Sequence, residues 1–143
     1  KGRALRLLAM REHSRAELER KLRSADEDAG ELARVLDELE AKGFISAERV
    51  AESVLHRRAS RFGTSRIRRE LQDKGLDAET IQASVAQLQA TEFERAREVW
   101  RRKFAGPAPD AAGRAKQMRF LAARDFGTNT IRRVVSGAGD DDE

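Results

Sequence analysis

The sequence predicts an all-α fold made of three tandem three-helix, helix-turn-helix-like repeats that form an elongated, curved array. Three observations carry that prediction. Ala, Leu, Arg and Glu are abundant, while Pro occurs twice and Tyr not at all, which favours helix throughout. Apolar positions recur at a spacing of about fifty residues. Helix caps and stops recur with them.

The recurrence can be read directly. Leu18 and Leu22 return 49 positions later as Ile67 and Leu71, and Leu32 and Leu36 return as Ile81 and Val85. Fifty positions further, Leu71, Ile81 and Val85 become Leu121, Ile131 and Val135. "DAGEL" at 28–32 matches "DAETI" at 77–81, with Asp28 and Asp77 placed to accept from free N–H groups at a helix start. Ser14 with Glu17, and Asp28 with Glu31, have the spacing of capping boxes, and Thr128 is the expected cap of the last helix. "KGF" at 42–44 and "KGL" at 74–76 read as stops, because Gly adopts the left-handed conformation that ends a helix.

Taken in order, the expected helices are 3–12, 14–24 and 28–42 in repeat 1, which spans 1–44. Those of repeat 2, over 45–90, are 47–61, 64–74 and 77–89. Repeat 3, over 91–136, holds 91–105, 111–124 and 128–136, with "AGPAP" at 105–109 as linker because its prolines cannot continue a helix. The acidic segment 137–143 is expected to be disordered. Helices this short are marginal in isolation, so each unit must bury a shared apolar seam.

The 143 residues contain no Cys, which excludes disulfides, thiolate chemistry and Cys-ligated metal. No apolar run is long enough to span a membrane, and a cytoplasmic location is expected. The sequence begins at Lys1 instead of Met, so a preceding extension is left open. Enzymatic motifs are not found: there is no phosphate-cradling Gly loop and no His-Glu-x-x-His. His13 and His56 lack metal-ligand spacing. No catalytic residue, cofactor or metal is therefore expected, and the protein is not read as an enzyme.

Charge is organised in blocks. Residues 1–24 hold eight Lys/Arg against three acids, 25–52 three against nine, and 53–74 seven against two. Residues 75–94 carry four acids and no base, and 95–133 eleven bases against three acids. The densest stretch, "RFGTSRIRRELQDKG" at 61–75, turns Ile67 and Leu71 inward and its arginines outward on a 3.6-residue period. Guanidinium forks at such positions pair with phosphate or carboxylate, although solvated surface is the plain alternative. The expected contact surface comprises Arg57, Arg58, Arg61, Arg66, Arg68, Arg69 and Lys74, with Arg101, Arg102, Lys103, Arg132 and Arg133 second. Phe93, Ala96, Trp100 and Phe104 form one helical stripe, read as core.

Residues 36–81 resemble the signature region of the bacterial regulatory protein RecX family. The resemblance rests on Gly43-Phe44-Ile45, on Arg49-Val50-Ala51, and on Gly63, Ile67, Glu70, Leu71, Lys74 and Gly75. "SRAELERKL" upstream and "QMRFLAARDFGTNTIRRVV" downstream extend it over nearly the whole chain. Departures are Val50 in place of Phe, and Asp125-Phe126-Gly127 in place of Gly-Phe, which is expected to move the third unit's stop by a residue or two. The resemblance implies a modulator that binds the recombinase RecA and lies in the groove of the RecA–DNA filament. It also implies inhibition of ATP hydrolysis, strand exchange and co-protease activity in recombination and the SOS response. A monomer with weak direct DNA contact is expected, and a DNA-binding protein of helix-turn-helix type remains the alternative.

Overall fold

The computed structural model describes residues 1–23 and 28–137. They form eight helices: α1 (Gly2–Met10), α2 (Arg15–Leu22), α3 (Ala29–Ala41), α4 (Ala47–Arg58), α5 (Thr64–Asp73), α6 (Ala78–Lys103), α7 (Ala111–Ala122) and α8 (Thr128–Ser136). Three separate apolar clusters follow one another along the chain. Leu18, Leu22, Leu36 and Leu39 centre the first, Val54, Ile67, Leu71 and Leu88 the second, and Trp100, Leu121, Phe126 and Val134 the third. Trp100 lies in that core, with Nε1 donating to Gln117 Oε1 at 3.1 Å.

The helices expected at 77–89 and 91–105 are one helix of 26 residues, α6. No Gly or Pro interrupts residues 77–104, so nothing ends the helix at the repeat boundary. Its first half packs on α4 and α5, and its second half on α7 and α8. Units 2 and 3 therefore share a helix. The expected disorder of 137–143 falls, from residue 138 on, outside the described residues.

Caps follow the sequence in part. Ser14 and Glu17 close a reciprocal capping box, and Asp77 accepts from Thr80 N. Asp28 reaches Gly30 N, two residues on. Thr128 is the first helical residue of α8 and not its cap. The cap is Gly127, as Gly63 caps α5, and neither has a side chain to offer. Both helix starts are instead satisfied by Glu92 of α6. Its Oε1 accepts from Thr64 N at 2.8 Å, while its Oε2 accepts from Thr130 Oγ1 at 3.0 Å and Gly127 N at 3.4 Å. Burial pushes this carboxyl up, but those donors outweigh it and hold it below the ordinary carboxylate range.

Three helices end in the same hydrogen-bonded stop. Phe44 N donates to Leu39 O, Leu76 N to Leu71 O and Phe126 N to Leu121 O, each with the preceding residue in the left-handed region. That residue is Gly43 (φ 82°), Gly75 (φ 71°) and Asp125 (φ 64°). The third stop has not moved, because Asp is among the few residues that tolerate this conformation.

The units join through these stops. At the first joint, Ser14 Oγ donates to Lys74 O at 2.5 Å, Arg20 to Asp73 O at 3.0 Å, and Lys74 Nζ sits 3.4 Å from Glu17. At the second, Gly63 N donates to Arg124 O at 2.8 Å. Ser14 and Gly63 are both N-caps of a unit's second helix, and Lys74 and Arg124 both end the second helix of the next unit. A side chain on Gly75 would lie 2.6 Å from Ala16 Cβ, and one on Gly63 would overlap the backbone of Asp125 and Phe126. Burial pushes Glu17 up, but Arg11, the Ser14 N–H and Lys74 together hold it at about 2.

Substitutions at these glycines should separate backbone strain from joint contact. Gly43→Ala, with open space around it, is expected to cost about 1 kcal/mol in urea unfolding, the left-handed penalty alone. Gly75→Ala is expected to cost more, because it also displaces Ala16; equal costs would contradict the joint. Glu92→Ala strips the side-chain acceptor from two helix starts and is expected to cost about 2–3 kcal/mol by the same measurement. Glu17 is lower in the folded than in the unfolded chain, so its contribution is complete above the unfolded value near 4.5 and declines as pH falls toward 2. Glu17→Gln should therefore flatten stability against pH across that window relative to the parent chain.

Candidate functional site

At the second joint the α4–α5 corner, the end of α6 and the end of α7 enclose a groove of about 540 Å³. Arg61, Arg66, Arg102, Lys103 and Arg124 line it together with Phe62, Val99 and Phe120, and its described lining contains no carboxylate. The corner is held from below by Arg95, whose guanidinium donates to Ala59 O and Phe62 O at 2.9 and 2.7 Å, and to Leu88 O at 2.8 Å. These contacts turn Phe62 toward the groove and satisfy carbonyls left over where α4 ends.

The cations are anchored without being neutralised one by one. Arg66 lies 4.3 Å above the Phe62 ring, donates to Ala123 O at 2.8 Å and pairs with Asp125 at 3.0 Å. Arg102 donates to Ser60 O at 3.0 Å. Arg124 stacks 3.9 Å from the Phe120 ring, which meets Phe104 edge-on at 5.3 Å. Arg61 and Lys103 approach the same two rings at 5.2 and 6.0 Å. Carbonyl and ring contacts fix the guanidinium planes while leaving donors for an incoming anion.

The structure thus brings Arg61, Arg66, Arg102 and Lys103, expected in two separate clusters, into one groove. Arg57 and Arg58 flank it, 3.8 and 3.1 Å from Glu70, the Arg58 Nε contact lacking hydrogen-bond alignment. Arg69 is exposed but pairs with Asp125 at 2.6 Å, and Arg68 is exposed on the outer face of α5. Lys74 departs from the expectation of an exposed contact, since it is drawn into the first joint with its side chain 15% exposed. Arg101 and Arg132 are exposed but do not line the groove, and Arg133 covers the Phe93 ring at 4.2 Å.

Arg124, Phe62 and Phe120 were not among the expected contacts. A signal for Phe62 exists in "FGT" at 62–64, which recurs at 126–128, each followed by Ile-Arg-Arg at the same offset, whereas Phe120 and Arg124 lie outside both copies. Both copies mark a glycine-capped helix whose entry turn must be served by side chains of α6.

Family models match all three units: RecX first three-helix domain over 1–39, second over 48–85 and third over 90–135. The chain is 52% identical to the regulatory protein RecX of Leptothrix cholodnii, covering 94% of this chain and 86% of that one. It is 46% identical to that of Herbaspirillum seropedicae, covering 100% and 93%. A crystal structure of RecX from Lactobacillus salivarius superposes with a TM-score of 0.78 at 20% identity, covering 95% of this chain and 92% of that one. Another RecX crystal structure gives 0.74 at 19% identity, covering 93% and 69%. With all three domain models matched in order, and relatives this similar over nearly their full length, the chain belongs to the RecX family of regulatory proteins.

Proposed function

We propose that this protein is a non-enzymatic, cytoplasmic regulator that binds RecA and the groove of the RecA–DNA filament. It lowers RecA ATP hydrolysis, strand exchange and co-protease activity. The observation that carries this reading is the repeated joint, in which each unit docks its second-helix cap on the next unit's helix stop. Such a tandem array presents successive surfaces at fixed offsets, and a filament presents successive subunits. Each unit then adds weak contacts whose combined affinity exceeds any one of them. Basic and acidic blocks alternating along the chain suit a protein surface of mixed charge. Arg57, Arg61 and Arg66 are the residues expected to face the filament.

A direct DNA-binding protein of helix-turn-helix type is the second reading, favoured by the basic groove and by the exposed Arg68, Arg69, Arg132 and Arg133. The two separate on salt. Single-strand binding through phosphate contacts weakens with a log–log slope near −0.7 per contact. In the first reading, substoichiometric protein is expected to lower single-strand-dependent ATP hydrolysis by its cognate RecA, with little binding to bare DNA at physiological salt. An unchanged rate, with tight and salt-sensitive binding to bare DNA, would overturn it. Arg57→Glu combined with Arg61→Glu is expected to weaken inhibition at least severalfold with the circular dichroism spectrum unchanged. Full inhibition by that folded variant would remove this face from the contact surface.

A further inference from the structure

The groove between units 2 and 3 has its own chemistry, and we infer that it takes a short acidic peptide segment of a partner protein, in which carboxylates flank one aromatic or large aliphatic residue. The inference deepens the regulator reading and rests on it only for the partner being a protein. The lining supplies both halves of such a ligand's recognition. Val99, Phe62 and Phe120 form the apolar part of the lining, and Arg61, Arg102, Lys103 and Arg124 line it with them. Arg102 and Arg124 are tied to backbone carbonyls of Ser60 and Phe120, so their planes are set before a ligand arrives. Bidentate pairing with carboxylates costs less side-chain entropy when the fork is fixed in this way.

The surroundings favour a short acidic peptide over a nucleic-acid strand. A strand carries phosphates continuously and needs a basic track leading out of the groove. Here acids interrupt the basic surface on each helix leading away, although Arg57, Arg58 and Arg69 also border the groove. Along α4, Glu48 and Glu52 precede the basic end of the helix and share a second groove with Asp77 and Glu79, whose described lining contains no Lys or Arg. On α5, Glu70 and Asp73 follow Arg66 and Arg69. On α6, Glu94 and Glu98 are exposed just before Arg102. The rings are also partly occupied, since Arg66 lies over Phe62 and Arg124 over Phe120, which leaves less ring surface for a base to stack on. The five lining cations surround an apolar centre. An anion of a few charges and one apolar side chain matches it, whereas a polyanion meets repulsion on leaving.

The test is fluorescence anisotropy on the full chain with a labelled peptide Glu-Asp-Phe-Asp-Glu, the same peptide with Ala replacing Phe, and a labelled oligothymidylate. The Phe peptide is expected to bind, and the Ala peptide to bind about fivefold more weakly because the apolar part of the lining loses its occupant. Arg61→Glu with Lys103→Glu, two exposed positions whose contacts are to rings, should lower peptide affinity about tenfold or more. Arg6→Glu with Arg34→Glu, two exposed positions in the first unit, makes the same change of net charge away from the groove and should leave affinity within about twofold. Equal loss in both variants would reduce the effect to general charge and overturn the site. Tighter binding of oligothymidylate, lost in the groove variant, would make the groove a nucleic-acid site. A chain ending at Gly137 that binds the peptide much more tightly would place the chain's own Asp140–Glu143 segment in the groove instead of a partner's. If wild-type protein inhibits RecA ATP hydrolysis but binds no peptide, the groove assignment falls and the regulator reading stands. If it binds the peptide but leaves RecA unaffected, the reverse holds.

Discussion

Two side chains one turn apart on α6 hold the second and third units in place. The Glu92 carboxylate accepts from the starts of both α5 and α8, and the Arg95 guanidinium donates to carbonyls at the end of α4 and within α6. Helix ends leave amides and carbonyls without intrahelical partners, and at Gly63 and Gly127 no cap side chain exists to meet them. An acid and a base at i and i+3 on a third helix meet both deficits. The positive ends of two helix dipoles converge on one carboxylate, which favours its ionised form. Once those ends are fixed, Gly63 can approach Asp125 and Phe126 closely, and the α4–α5 corner reaches across to α7.

The groove is a consequence of that approach. Phe62 lies on the corner that Arg95 holds, and Phe120 lies on the helix whose stop Gly63 contacts. Neither unit alone has both rings or all five cations. Asp125 has two roles at the same place: its backbone ends α7 in the left-handed conformation, and its carboxylate draws Arg66 and Arg69 toward the third unit. A glycine there would make the stop equally well but would leave both arginines without their acid. The departure from Gly-Phe thus adds an electrostatic contact across the joint while preserving the stop.

The first joint uses different chemistry at equivalent helix ends, with its ion pair one residue earlier in the stop. Where Gly63 offers its backbone amide, Ser14 offers a hydroxyl. Where Arg66 meets Asp125, Glu17 meets Lys74. Unit 1 shares no helix with unit 2, so its attachment relies on these cap-to-stop contacts and on Arg49, which reaches back to Glu12 and Gly43 O at 2.9 and 2.6 Å. His13, buried beside this joint, donates from Nδ1 to Arg11 O and accepts at Nε2 from Lys21 Nζ, and its burial lowers its pKa below the usual value. The middle and last units are welded by α6, whereas the first is attached through polar contacts.

Much of the fold was legible in the residues themselves because its determinants are local. Apolar recurrence every fifty residues, the Ser14–Glu17 box and the glycines of 42–44 and 74–76 act within a turn or two of their own position. The continuity of α6 was also present as an absence of Gly and Pro over 77–104, although the repeat pattern suggested a break at residue 90. Tertiary structure decided the rest. Glycine-capped helices borrow acceptors from residues 28 and 35 positions away, Lys74 is withdrawn from the surface by Glu17, and Arg124, Phe62 and Phe120 meet only when two units dock. Sequence by itself determines which residues can cap, stop or face inward, because those depend on backbone geometry and period. Which cations share a groove depends on how close two helix ends come, and that distance is set by packing and by one carboxylate on a third helix.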